Sequence, residues 1–116
     1  MKPNQLEDRL IQFAIDVILI SKNIDNSFAS EHLAKQLIRS ATSAALNYGE
    51  ARGGESFLHK MKICLKELRE CLVNMKIQKG SQLILDIDGL DKLIKENDEL
   101  ISIFVVSIKT ASIKLK

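Results

Sequence analysis

Apolar residues recur along this chain at spacings of four and three, through long stretches with almost no punctuation. Leu6, Leu10, Phe13, Val17, Ile20 and Ile24 are spaced 4-3-4-3-4. That period puts one side chain per turn on one face of an α-helix. The 116 residues contain a single Pro and five Gly. A many-stranded β fold needs turn signals every ~8–12 residues, and this sequence does not supply them. Three further segments carry the same period. Leu33, Leu37, Ala41, Ala44 and Tyr48 form the second stripe. Phe57, Met61, Cys64, Leu68, Cys71 and Met75 form the third. Leu90, Ile94, Ile101, Phe104, Ile108 and Ala111 form the fourth, with Asn97 interrupting.

The expected helices therefore cover about 5–23, 31–50, 57–79 and 89–114 within one domain spanning 1–116. Asn4, Ser30 and Ser56 are the expected caps, with Glu7 completing a capping box. Asp25-Asn26-Ser27, Gly53-Gly54, Gly80-Ser81 and residues 86–89 carry turn chemistry. The β-branched content of residues 15–24 and 101–108 would also suit strands. Both stretches sit inside longer helical periods, which favours helix. Residues 83–85, Leu-Ile-Leu, read either as a short helical turn or as an apolar plug over the bundle end. Four amphipathic helices with short connections imply an all-α, up-down-up-down four-helix bundle.

One feature exceeds what a lone bundle requires. Eight of the ten residues from 11 to 20 are apolar, as are seven of the nine from 100 to 108. A helix apolar nearly all round must be covered nearly all round. The surplus on the first and fourth helices predicts an interface between copies of the chain. The plainer alternative is a wide core with a few exposed isoleucines. Neither apolar stretch reaches the ~20 residues that span a bilayer. The N-terminal residues lack the shape of a signal peptide. Cys64 and Cys71 lie seven apart on one helical face, roughly 10 Å along the axis, too far to bridge. These observations favour reduced core thiols and a cytoplasmic setting.

Catalytic constellations do not assemble. A dinuclear metal bundle needs Glu-x-x-His pairs, and neither His32 nor His59 follows a Glu by three. Glu67 and Glu70 fall off the apolar stripe of the third helix. The expectation is no metal, no cofactor and no enzyme activity. The third helix does carry Lys62, Lys66, Arg69 and Lys76 along one face, with Val73 in the gap. Residues 55–79 hold six Lys or Arg (Lys60 and Lys79 included) against Glu55, Glu67 and Glu70, a local +3 in a chain of net +2. A basic stripe on a helix is the footprint of a phosphate-backbone contact. No aromatic accompanies it in the sequence, so base stacking is not expected. An ordinary solvated face is the plainer reading, and repetition in an oligomer would strengthen the field.

The second helix ends in an unusual run. Arg39-Ser40-Ala41-Thr42-Ser43-Ala44-Ala45 is rich in small side chains, a surface for close helix packing. Glu50 faces the unfavourable end of the helix dipole. It is expected to accept hydrogen bonds near Ser56 or to pair with Arg52, with Asn47 helping to cap the helix. A polar recognition site is the alternative role for this motif.

The ordered segments Gln36-Leu37-Ile38-Arg39-Ser40-Ala41-Thr42-Ser43, Asn47-x-x-Glu50-Ala51, Ser56-Phe57-Leu58-His59-Lys60 and Ile63-x-Leu65-Lys66-Glu67-Leu68-x-Glu70 resemble the bacterial four-helix bundle protein family. That family includes proteins encoded in intervening sequences of ribosomal RNA genes and accessory variability proteins of diversity-generating retroelements. The resemblance covers nearly the whole chain and is strongest from 36 to 71. It implies a homopentameric barrel, association with RNA or DNA and, in the retroelement branch, a reverse transcriptase partner. It implies no catalysis. Tyr48 stands where the family pattern leads one to expect Ile. The sequence thus points to a non-enzymatic oligomeric scaffold for nucleic acid. The rival is a protein-interaction scaffold using the oligomer ends or residues 83–85.

Overall fold

The computed structural model describes residues 1–54 and 56–114. Four α-helices follow one another: α1 (Pro3–Ile20), α2 (Phe28–Arg52), α3 (Phe57–Gly80) and α4 (Ile87–Lys114). The all-α, four-helix expectation holds, and the helix ends move for local reasons. Pro3 opens α1, because its fixed φ suits the first helical position. The Gln5 side chain then accepts from the Lys2 N–H at 3.0 Å, so the boundary falls at Lys2 and not at Asn4. α1 stops at Ile20, three residues early, and Ile24 leaves the helix to bridge Ile84 in antiparallel fashion. α2 begins earlier than expected. Ser27 is its cap, accepting from the Ser30 N–H at 3.1 Å. Ser30 itself is buried in the first turn, and its hydroxyl donates to Asp25. Gly53 closes α2, and Gly54 takes φ +87°, a left-handed turn that glycine adopts without strain. Ser56 precedes α3 as expected, but in a left-handed conformation and with no side-chain cap bond.

The stripes of α1 and α3 are buried as read, from Leu6 to Ile20 and from Met61 to Met75. Phe57, the first member of the third stripe, is half-exposed. Leu33 is only partly buried, while Leu37, Ala41, Ala44 and Tyr48 face the core. Tyr48 packs edge-on against Phe104, ring centroids 5.7 Å apart, and its hydroxyl donates to the Pro3 carbonyl at 3.4 Å. α4 is rotated from its expected face. Its core line is Leu90, Leu93, Asn97, Leu100 and Phe104, while Ile94, Ile101 and Ile108 flank it, partly buried. The helix is apolar on two adjacent faces, so spacing alone did not choose between them. Asn97 does not interrupt the core. It enters fully buried, its amide donating to the Leu68 carbonyl at 3.0 Å.

Successive helices pack side by side, and α4 returns beside α1. Cross-helix pairs run in opposite order: Leu33 with Asn74, Arg39 with Glu67, and Ala44 with Cys64 between α2 and α3. Arg52 meets Glu7 between α1 and α2, and Lys79 meets Asp91 between α3 and α4. This pattern fits the expected up-down-up-down order. α2 and α3 are the most intimate pair, because the small residues of α2 admit close approach. The Cys64 thiol reaches the Ala44 carbonyl at 3.3 Å. At one end of the bundle Leu83 and Ile84 are buried against the core, held by the Asn23–Leu85 and Asp25–Leu83 backbone bonds. The plug reading of residues 83–85 is the observed one. On the outside, Ile11, Ile15, Ile18 and Leu19 of α1 and Val106 and Ile113 of α4 are exposed in the single chain.

Candidate nucleic-acid interface

Rotation along α3 sorts its charges. Lys62, Lys66, Arg69 and Lys76 are all exposed on the outer side, and none makes an ion pair or hydrogen bond among the described residues. Their acidic neighbours are already paired with a cation of α2. Glu67 is only 5% exposed and faces α2, where Arg39 reaches it at 3.0 Å. The same guanidinium holds Glu70 at 3.0 Å and Ser40 Oγ at 3.0 Å. The other two cations of the segment are neutralised: Lys60 pairs with Glu50 at 2.5 Å and Lys79 with Asp91 at 2.6 Å. Glu55, the third acid of the sequence count, lies outside the described residues. The stripe of four is therefore a row of unneutralised cations. Along the α3 axis it spans ~21 Å at 1.5 Å per residue.

Between and beside these cations lies a shallow apolar depression. Leu33 and Gln36 of α2 and Leu65, Glu70, Val73, Asn74 and Ile77 of α3 line it, together with Lys62, Lys66 and Arg69. Val73 is 58% exposed. At the start of α2, Phe28 is 86% exposed and stacks on His32, centroids 6.1 Å apart and planes within 7°. The sequence reading found no aromatic with the lysines. Phe28 is far from them in sequence, and the antiparallel α2–α3 register, which sets Leu33 against Asn74, puts it at the same end of the bundle as the last turn of α3.

The motif at the end of α2 is structural and differs from expectation in detail. Glu50 pairs with Lys60, not with Arg52 or the residues around Ser56. Arg52 instead reaches across to Glu7 of α1 at 2.8 Å. Asn47 does not cap α2. Its amide donates one turn back to the Ser43 carbonyl at 2.9 Å and to Ser43 Oγ at 3.0 Å. Arg39, Ser43, Asn47 and Glu50 thus form no single cluster of contacts. Arg39 joins two helices, Ser43 and Asn47 bond within one, and Glu50 serves the α2–α3 turn. Arg39's bridging role was illegible because its partners lie 28 and 31 residues away. The rival docking segment also changes: Leu83 and Ile84 are spent on the plug, and only Leu85 is exposed.

Cys64 and Cys71 are buried free thiols, and burial pushes both up to about 12. A thiolate nucleophile is disfavoured in that setting. Among the described residues no group of three or more His, Cys, Asp or Glu is placed to hold a metal ion. Nor is any described helix long and apolar enough to cross a membrane.

The fold and site define a four-helix bundle with a bare basic ridge on α3. Among solved structures it is similar to a protein of unknown function from the S23 ribosomal protein family of Bacteroides thetaiotaomicron, with TM-score 0.80 and 26% identity. The likeness covers 94% of this chain and 99% of that one. No family model matches the sequence, and none of the curated proteins does.

Proposed function

We propose that this chain is a non-enzymatic scaffold subunit that self-associates, as a pentameric barrel, and holds RNA or DNA on repeated basic ridges. One observation carries the reading: Lys62, Lys66, Arg69 and Lys76 stand free on the outer side of α3 while Arg39 holds Glu67 and Glu70. A row of cations left without partners costs little in water and gains most from a polyanion that releases counterions on binding. The exposed isoleucines of α1 and the apolar end of α4 supply the surface that copies would share. The pentamer and, for the retroelement branch, a reverse transcriptase partner follow from the family resemblance, and the cytoplasmic setting from the free thiols. The S23-family likeness supports its four-helix part.

Two measurements test it on the full chain. Light scattering is expected to give a multiple of the 13.0 kDa subunit, and a lone subunit at micromolar concentration would remove the ring. Fluorescence anisotropy is expected to show affinity for nucleic acid falling steeply with salt. The Lys66→Ala/Arg69→Ala protein should lose roughly two from the log–log salt slope, about one per phosphate contact. Binding indifferent to salt contradicts the mechanism. The second reading, a protein-holding scaffold, draws on the exposed apolar row of α1, which would serve a foreign partner as well as a second copy. Retention of a protein partner after nuclease treatment favours it.

A further inference from the structure

The geometry points to single-stranded nucleic acid, rather than duplex, as the ligand of the α3 ridge. This inference rests on the nucleic-acid reading above and names the form of the polymer. The ridge is not purely cationic. Leu65, Val73 and Ile77 interleave with Lys62, Lys66 and Arg69, Leu33 closes the depression from α2, and the one carboxylate in its lining, Glu70, is held by Arg39. Val73 and Ile77 are 58% and 47% exposed, an apolar cost that a phosphate contact alone does not relieve. A duplex keeps its base faces stacked inside and offers a protein surface only sugars, phosphates and base edges. A single strand offers both chemistries: phosphates for the cations, and unstacked base faces to cover the aliphatic floor.

The Phe28–His32 pair fits the same ligand. An 86%-exposed phenylalanine already held parallel to a neighbouring ring is a preformed platform with its other face open. Because α2 and α3 run antiparallel with Leu33 against Asn74, this platform lies at the same end of the bundle as the C-terminal end of the ridge. A strand running along α3 with its phosphates on the cations and continuing over that end of the bundle would reach the platform with its terminal bases. Neither contact reads hydrogen-bonding edges, so sequence preference is weak and RNA and DNA single strands are bound alike.

The test uses the full chain and four labelled probes of equal length: oligo-uridine, oligo-thymidine, an RNA duplex and a DNA duplex. Anisotropy at fixed salt is expected to show both single strands bound about tenfold more tightly than the duplexes, a preference of the size that one stacked base supplies. Phe28→Ala should remove most of that preference with the salt slope and duplex affinity unchanged. The side chain is exposed, so helicity by circular dichroism should be preserved. Val73→Ser/Ile77→Ser should act in the same direction and leave the subunit count by light scattering unchanged. Equal affinity for single strand and duplex overturns the inference but not the nucleic-acid reading. No binding of any probe overturns both. An RNA-only complex, or a Val73→Ser/Ile77→Ser protein that falls to lone subunits, overturns the phosphate-and-base account, the latter by assigning the shelf to self-association.

Discussion

The outer and α2-facing sides of α3 hold charges of opposite sign and opposite fate. On the α2 side Glu67 and Glu70 are gathered by one guanidinium, Arg39, and Glu67 is buried. On the outer side four cations stand in water with no described partner. The two sides belong to the same 24-residue helix. A net charge of +2 conceals this sorting, because it sums over charges that are already spent and charges that are free. What a partner meets is the unspent set.

The inner side of the same helix provides the sharpest test of its burial. Cys64 and Cys71 are pushed up to about 12 from an ordinary 9.0, first by desolvation. Burial pushes Tyr48 upward as well. Between those values an unfolded chain has released thiol protons that the folded chain still holds. Stability is therefore full below pH 9 and falls as pH rises towards 12. The loss amounts to a few kcal/mol, since each tenfold change in proton affinity is worth about 1.4 kcal/mol. Urea unfolding across pH 7–11 checks this, and a flat profile would mean the thiols are not sealed from water. Arg39→Ala comes next in size. It leaves the buried Glu67 without its cation and should cost about 1–2 kcal/mol, less than a fully buried pair because Arg39 is half exposed. Nucleic-acid affinity should stay unchanged, whereas Arg69→Ala should weaken binding and leave stability alone. If the two variants behave alike, the division between the sides is wrong. Smallest is Glu50→Ala, about 0.5 kcal/mol for an exposed pair with Lys60. Loss of most binding without loss of folding in that protein would return Glu50 to a recognition role.

Most of the fold was legible. The apolar periods of α1 and α3 named their buried faces; on α3, with its largely polar outer side, a single stripe leaves one orientation. α4 was read one face off because Ile94, Ile101 and Ile108 form a second stripe beside Leu93, Asn97 and Leu100. A period has no way to rank two apolar faces, and a buried Asn is acceptable only when a partner such as the Leu68 carbonyl is in reach. The cations of the candidate site were legible because they share one helix. The Arg39 clasp and the Lys60–Glu50 pair were not, since each depends on how two helices come together, and the Phe28–His32 pair, four apart on one helix, was not because α2 was expected to begin only at 31.

The amino-acid order by itself determined that four helices form, which residues of three of them turn inward, and that cations line one side of α3. These are local properties, set by a 3.6-residue period that repeats within one element. The tertiary structure alone decided which charges remain free and what lies beside them. Pairing across α2 and α3 depends on register, and register is set by small residues at Ala41 and Ala44 that let the two backbones close, an outcome of packing that no single helix contains.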